Sequence, residues 1–286
     1  MATQDVLYRY LFDDMHARGE LVQLTSTYQN IIANHNYPDG VKKLIGDMLS
    51  ATCLLTATLK FEGEITVQLQ GDGPLSYIAI NGDHQQNMRG VAKLAEPTQA
   101  TELKELIGKG TMVITIRPTS GEPYQGIVAL EKPTLAECIA NYFETSDQIP
   151  TSVWLFTDLE QEKVAGALVQ LLPDSEDKEK QLADYDHLCQ LTQTIKQDEI
   201  FGLEAQELLY RLYHQEEVRI FEPQSVQFKC SCSTEKVLNA ITQIGKEEIQ
   251  DILNQDGAIA TTCDFCLTTY RFDESDFVDY FSDKKH

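Results

Sequence analysis

Four cysteines near the C-terminal end constrain the fold of this chain more than any other feature of its sequence. They form a Cys-x-Cys pair, Cys230 and Cys232, and a Cys-x-x-Cys pair, Cys263 and Cys266, with 30 residues between the pairs. Structural zinc takes four ligands at tetrahedral corners, with each sulfur about 2.3 Å from the ion. Side chains at i and i+2 of an extended segment project to one side, so both members of the first pair can reach one ion. The spacing therefore predicts a four-thiolate zinc site.

The segment that carries these cysteines is short. Residues 230–286 contain few apolar side chains for a core, so a bound metal is expected to supply much of the folding free energy. Two helical patterns, 235–244 and 246–253, lie between the pairs, and strand patterns flank the second pair. The other three cysteines, Cys53, Cys138 and Cys189, have apolar helical neighbours and are interpreted as core residues without a chemical role.

Two kinds of function fit a four-thiolate site, and the residues alone leave both open. A purely structural zinc ribbon is the simpler interpretation. A redox switch is favoured by the Cys-x-Cys pair, because its disulfide closes a small, strained ring with a relatively oxidising potential. Zinc also keeps the thiols deprotonated, which is the form that oxidants attack.

The N-terminal part of the chain has the pattern of a mixed α/β (α+β) domain. Alternating apolar residues predict strands at 6–12, 20–24, 62–69, 76–80, 112–117, 125–130, 152–156 and 164–171. Helical periodicity predicts helices at 41–59 and 134–143. Glycine, proline, aspartate and asparagine predict turns at 71–74, 81–83 and 121–123.

The chain changes character after Pro173. Residues 174–180 are a charged run, and residues 174–222 contain 13 acidic against 5 basic side chains. Apolar residues still recur at helical spacing, for example Leu188, Ile200, Leu203, Leu208 and Leu212. Such helices need a surface to pack on, because isolated helices are only marginally stable. The segment is either a docked but releasable linker or a plain helical extension of the first domain.

Charge and motifs exclude several function classes. A net charge of −22 opposes general binding to nucleic acids and to anionic membranes. A nucleic-acid-binding zinc ribbon is disfavoured because residues 223–286 hold 11 acidic against 6 basic side chains. The first 14 residues lack secretory-signal features, so we expect a cytoplasmic protein.

The sequence favours a protein that is not an enzyme. It contains no P-loop, H-E-x-x-H or G-x-S-x-G motif. The absence of a P-loop is consistent with a function that does not require ATP. A thiol–disulfide oxidoreductase using Cys263 and Cys266 is disfavoured, because such enzymes place the first cysteine at a helix N-terminus and here strand patterns lie on both sides.

The cysteine motifs and their surroundings resemble the redox-regulated heat-shock chaperone family of 33 kilodaltons. The resemblance rests on residues 228–233, on 263–266 with Tyr270 and Phe272, and on the upstream runs 10–19, 71–74, 88–92, 142–146, 148–151 and 166–173. It extends in order over essentially the whole chain, and all four family cysteines are present.

The resemblance implies an ATP-independent holdase that responds to oxidative stress. Its implied domains are a client-binding and dimerisation core at 1–178, a helical linker at 179–229 and a zinc-binding redox-switch domain at 230–286. Cys230, Cys232, Cys263 and Cys266 would bind one zinc ion in the reduced, inactive protein. Oxidation would pair Cys263 with Cys266 and Cys230 with Cys232, release zinc and unfold the linker. The oxidised form, commonly a homodimer, would bind unfolding client proteins and later pass them to ATP-dependent foldases.

Overall fold

The computed structural model describes residues 5–33, 35–59, 62–173 and 177–282. The outer ends of the predicted first and third domains, and residues 174–176 of the charged run, lie outside these ranges. The chain divides into two compact units, Met1–Lys229 and Cys230–His286.

The first unit alternates strands and helices along the chain. Its strands are β1 Val6–Phe12, β2 Ala17–Leu24, β3 Gly63–Gly71, β4 Leu75–Asp83, β5 Asn87–Leu94, β6 Gly110–Pro118, β7 Tyr124–Ala129, β8 Thr151–Asp158, β9 Lys163–Leu171, β10 Val218–Ile220, β11 Gln224–Ser225 and β12 Gln227–Phe228. Its helices are α1 Ser26–Ile32, α2 Asp39–Ala57, α3 Leu103–Ile107, α4 Leu135–Tyr142, α5 Lys178–Thr192, α6 Gln197–Gly202 and α7 Ala205–Tyr213. The mixed helix and sheet composition confirms the predicted fold class.

These strands form two sheets. The first sheet has the order β10-β1-β2-β9-β8, with β11 also paired to β1. The second has the order β12-β5-β4-β3-β6-β7. The neighbours are antiparallel except for β12, which pairs in parallel with β5 through Gln227 and Phe228.

Helix α2 lies in the core between the two sheets. Fifteen of its 19 residues are buried, and it contacts strands of both sheets. A helix that is apolar or small around its whole circumference is suited to such a position. Asp47 is a buried exception, and its carboxylate accepts hydrogen bonds from Thr157 at 2.9 Å and Lys43 at 2.8 Å.

Helices α5, α6 and α7 cover the opposite face of the first sheet. Because side chains alternate along a strand, Leu7 and Val22 point to the α2 side, whereas Leu21, which adjoins Val22, points to the other side. We call this second side the covered sheet face; its buried residues are Tyr10, Phe12, Ala17, Leu21, Ala165, Ala167, Val169 and Leu171. The helices and the loop between α5 and α6 contribute Tyr185, Leu188, Ile195, Ile200, Ala205, Leu208, Leu209 and Tyr213 to the same apolar cluster.

Polar contacts reinforce this packing. The Gln23 side-chain amide donates to the carbonyl oxygens of Ile200 at 2.6 Å and Leu203 at 3.0 Å. The hydroxyl groups of Ser152 and Tyr185 lie 2.7 Å apart. The segment predicted to be a linker is therefore docked within the first unit.

The secondary structure corrects two expectations and adds elements that were not predicted. The helical linker is helical only as far as Tyr213, and its C-terminal part adds the short strands β10, β11 and β12 to the two sheets. The turn predicted at 81–83 is wrong, because Asn81 bonds to Thr66 across the β3–β4 pair and the chain turns at 84–86. Strand β5 and helices α1 and α3 were not predicted.

The second unit is small and has a thin core. It consists of α8 Thr234–Ile241, α9 Lys246–Asp256, a hairpin of β13 Ile259–Thr262 and β14 Thr269–Phe272, a 3-10 turn at Glu274–Phe277 and α10 Val278–Ser282. Its buried apolar cluster comprises Ile241, Ile249, Leu253, Ile259, Phe272 and Phe277. Among the described residues of the whole chain, no helix is both long enough and apolar enough to cross a bilayer.

Candidate metal centre

The two cysteine pairs lie on different local structures of the second unit. Cys230 and Cys232 are in an irregular segment that leads into α8, whose N-cap Ser233 accepts a hydrogen bond from the Lys236 amide at 3.2 Å. Ser at this position satisfies an otherwise unpaired amide of the first helical turn, so the helix starts directly after the pair.

Cys263 and Cys266 occupy the turn of the β13–β14 hairpin. The Cys263 amide donates to the Thr268 carbonyl at 3.0 Å, and the Leu267 amide donates to the Cys263 carbonyl at 2.9 Å. Leu267 has a φ of 55°, in the left-handed region that a leucine seldom adopts. This tight turn brings both thiols of the pair to one side of the hairpin.

The four thiols form one cluster. The Sγ atoms of Cys230, Cys232, Cys263 and Cys266 all lie within 4.8 Å of one another. Cys230 Sγ is 3.7 Å from Cys263 Sγ, and Cys232 Sγ is 3.5 Å from Cys266 Sγ. A tetrahedron with bonds of about 2.3 Å from zinc to sulfur has sulfur–sulfur edges of about 3.8 Å, so the spacing fits one tetrahedral metal ion. All four are free thiols and half-buried, within reach of an ion or a small oxidant.

The thiols influence one another's ionisation. Burial, together with hydrogen bonds to the neighbouring thiols, raises the pKa of Cys230 to about 12, although the Cys232 backbone amide opposes the shift. For Cys266 burial acts in the same direction, but hydrogen bonds to Thr268, Cys232 and Cys230 outweigh it and lower the pKa to about 6. These hydrogen bonds therefore favour the thiolate form of Cys266, and thiolate is the form that ligates metals.

Two hydroxyl groups of the hairpin contact the cluster. The Tyr270 hydroxyl donates to Cys232 Sγ at 3.1 Å, and Thr268 Oγ1 lies 3.3 Å from Cys266 Sγ. Sequence reasoning used Tyr270 only as part of a family resemblance and did not single out Thr268. The available signal was their i, i+2 spacing on an extended segment directly after the Cys-x-x-Cys pair, which places both side chains on one side.

The remaining cysteines lie apart from this cluster. Cys53 and Cys138 are buried, as predicted, and Cys189 is half-buried in α5. Burial raises the pKa of all three thiols, which keeps them protonated and unreactive.

A mixed α/β unit followed by a small unit with four clustered thiols defines a protein with a separate cysteine module suited to metal binding. The family comparison gives this class a name. A family model described as Hsp33 protein matches residues 5–273, and the chain belongs to this chaperone family.

Full-length relatives support the assignment. The chain is 61% identical to a 33 kDa chaperonin of Colwellia psychrerythraea over 290 residues, which cover 100% of both chains. It is 53% identical to a 33 kDa chaperonin of Pseudoalteromonas translucida, over 98% of this chain and 99% of the relative. These relatives are named as chaperonins and not as enzymes.

A solved structure shares the fold. The crystal structure of the 33 kDa chaperonin (heat shock protein 33 homolog) from Thermotoga maritima superposes with a TM-score of 0.83. The alignment covers 98% of this chain and 100% of that chain, at 21% sequence identity. At this identity the likeness is one of fold.

Proposed function

We propose that this protein is a redox-regulated, ATP-independent holdase. One zinc ion, held by Cys230, Cys232, Cys263 and Cys266, keeps the reduced protein inactive. The observation that carries the proposal is the cluster of four Sγ atoms within 4.8 Å of one another, in a chain that belongs to a chaperone family.

The second unit depends on this ion for its stability. Its buried cluster contains six apolar residues, which is little for a unit of this length. A structural zinc site contributes on the order of 10 kcal/mol of apparent binding free energy, which is comparable to the stability of a whole domain. Loss of the ion therefore unfolds the second unit.

Oxidation removes the metal ligands. The proposed disulfides join Cys263 to Cys266 and Cys230 to Cys232, following the family resemblance. In the reduced cluster two close sulfur–sulfur contacts, of 3.5 and 3.7 Å, instead join one motif to the other. Disulfide mapping after oxidation is therefore needed to distinguish pairing within the motifs from pairing between them.

The linker then releases apolar surface. Removing α5, α6 and α7 exposes the covered sheet face, which presents Tyr10, Phe12 and Leu21 among its apolar residues. Detachment of β10, β11 and β12 also leaves one edge of β1 and one edge of β5 without a hydrogen-bonded neighbour. A free strand edge pairs with extended chains, and exposed apolar surface binds apolar segments. Unfolding client proteins offer both.

The assembly and location follow from the same proposal. The oxidised protein forms a homodimer in the cytoplasm, binds partly unfolded clients during oxidative stress and passes them to ATP-dependent foldases after reduction. The net charge of −22 keeps client-loaded complexes apart from one another. The core, linker and switch domains remain those proposed at 1–178, 179–229 and 230–286.

Aggregation of a heat-unfolded client, measured without ATP, tests the proposal. Reduced zinc-loaded protein is compared with protein treated with hypochlorite, or with peroxide at elevated temperature, and zinc release and disulfides are followed in the same samples. Protection of the client only after oxidation, in step with zinc loss, is expected. A Cys189→Ser variant is the matched control and should behave as the unmodified protein. Zinc retained after oxidation, with no protection by either form, would show a structural zinc ribbon instead.

A further inference from the structure

The Tyr270 side chain connects the two halves of the thiol cluster. Tyr270 lies on β14, opposite Thr261 in the hairpin that carries Cys263 and Cys266. Its hydroxyl reaches Cys232, 38 residues away in sequence and a member of the other pair. The ring is half-buried and packs against the apolar cluster of the unit, so the position of the hydroxyl is set by the hairpin.

The hydroxyl contacts are unevenly distributed over the four sulfurs. Cys232 receives the Tyr270 hydroxyl, and Cys266 lies beside the Thr268 hydroxyl. Cys230 Sγ faces the backbone amide of Cys232. Cys263 Sγ faces the backbone amides of Phe265 and Cys266. A side-chain substitution can therefore remove the hydrogen bond at Cys232 while the amide contacts of the other sulfurs stay in place.

We infer that Tyr270 is a positioning residue for Cys232: it holds the Cys-x-Cys half of the site on the hairpin and slows reaction of the Cys232 thiolate. This inference rests on the proposed zinc and redox function of the cluster. A hydrogen bond to a charged acceptor is stronger than one between neutral groups. It draws electron density from the sulfur lone pair that an oxidant must receive, and it orients the sulfur toward the ion as outer groups orient metal ligands.

The affected step is oxidation by hydrogen peroxide. The Cys232 thiolate attacks one peroxide oxygen, the O–O bond breaks, and hydroxide leaves with the electron pair, which gives a sulfenic acid. The thiolate of a second cysteine then attacks that sulfur, the S–O bond breaks, and a second hydroxide leaves. Two thiolates thus lose two electrons to one peroxide. The Tyr270 hydrogen bond weakens in the first attack, because the attack withdraws the negative charge of the sulfur that accepts it.

Tyr270→Phe tests this role, because it removes the hydroxyl and keeps the ring. Tyr280→Phe is a matched control in the same unit, since the Tyr280 hydroxyl donates to the Thr242 carbonyl at 2.8 Å and not to a sulfur. Thr268→Val is a second variant, aimed at Cys266. The full reduced chain is used throughout. The readouts are zinc affinity by chelator competition, the thiolate-to-cobalt charge-transfer band of Co²⁺-substituted protein, and the modification rate of each cysteine by mass spectrometry.

Tyr270→Phe is expected to lower zinc affinity about tenfold, the lower end of the range for lost outer-shell contacts. It should also shift the cobalt band to lower energy and accelerate modification of Cys232 severalfold. Thr268→Val should change the modification rate of Cys266, and Tyr280→Phe should leave all three readouts unchanged.

Two results overturn the inference. One is a Tyr270→Phe protein that matches Tyr280→Phe in all readouts. The other is an equal rise in reactivity at all four cysteines, which indicates general loosening of the unit. Failure of the proposed function looks different: the unsubstituted protein itself then binds no zinc, or keeps it under peroxide.

Discussion

Replacing Leu208 with alanine is expected to loosen the linker without any oxidation. Leu208 lies on α7, is 1% exposed and packs in the cluster over the covered sheet face. Truncating a buried leucine to alanine costs about 2 to 5 kcal/mol, because apolar contacts are lost and a cavity remains. The cost falls on the docked state alone if the released linker is solvated.

The free energy lost by the docked state determines how far the population of released linker rises. With a tenfold change for each 1.4 kcal/mol, the population of released linker should rise by about 30-fold to a few thousand-fold. Leu182→Ala is the matched control, because it makes the same substitution on the neighbouring helix α5 at a side chain that is 49% exposed. A surface substitution of this kind changes stability by about 0.5 kcal/mol or less.

Limited proteolysis of the reduced, zinc-loaded proteins measures the released population, and client aggregation without ATP measures its activity. Leu208→Ala should be cleaved faster within residues 178–213 and should protect the client in part. Equal cleavage of Leu208→Ala and Leu182→Ala would refute the docking argument. Faster cleavage without client protection would show that the exposed sheet face does not bind clients.

Four further outcomes are expected. Cys263→Ser should weaken zinc binding and lower the melting temperature of the second unit, whereas Cys53→Ser should leave zinc stoichiometry unchanged by metal analysis. A strong zinc chelator with a reductant should abolish protection from hydrogen exchange in residues 230–282 and preserve it in α2. Glu20 is 2% exposed, and its burial raises its pKa to about 7, although Arg18 and Arg9 oppose the shift. The folded protein therefore keeps a proton that the unfolded chain loses above about pH 4.5, so the free energy of unfolding should fall by about 3 kcal/mol between pH 4.5 and 7. Denaturant unfolding should show this dependence on pH, and Glu20→Gln should remove it. Oxidation in the cold should release zinc before the linker becomes sensitive to protease, and mild heating should then expose it; simultaneous release at low temperature would contradict this order.

Periodicity predicted the parts of the fold whose surroundings impose a simple pattern. Strands such as β1 and β9 alternate because each face meets a different layer, and α2 was predicted because its large apolar residues recur at helical spacing. Strand β5 was missed because its run, with Arg89, Gly90 and Lys93, has weak strand propensity and is held by its neighbours β4 and β12. The turn at 81–83 was misplaced because the local preference of Asn81 and Gly82 was overridden by pairing with β3.

The thiol cluster was predictable because its information is local. Two short motifs place each pair, and tetrahedral geometry requires the pairs to meet. The hydroxyl of Tyr270 could not be assigned in the same way, because its contact with Cys232 depends on how the hairpin lies against a segment 38 residues away. The docking surface for α5 to α7 could likewise not be predicted, because apolar residues at helical spacing show that a helix packs on a surface but not on which sheet.

The two halves of the proposed switch depend on different forces, which explains why oxidation and unfolding stress should act together. In the proposed switch, zinc bound to the four thiolates stabilises the second unit, and an oxidant removes that contribution directly. The linker is held by apolar burial on the first sheet and by bonds such as Gln23 to Ile200 and Leu203, none of which involves a reactive thiol. Its last strand, β12, ends at Phe228, two residues before Cys230, so the linker joins the second unit only at its C-terminal end. Burial of Leu208 and Tyr213 persists until heat or another stress overcomes it. The proposed switch therefore opens fully only under conditions in which client proteins also unfold.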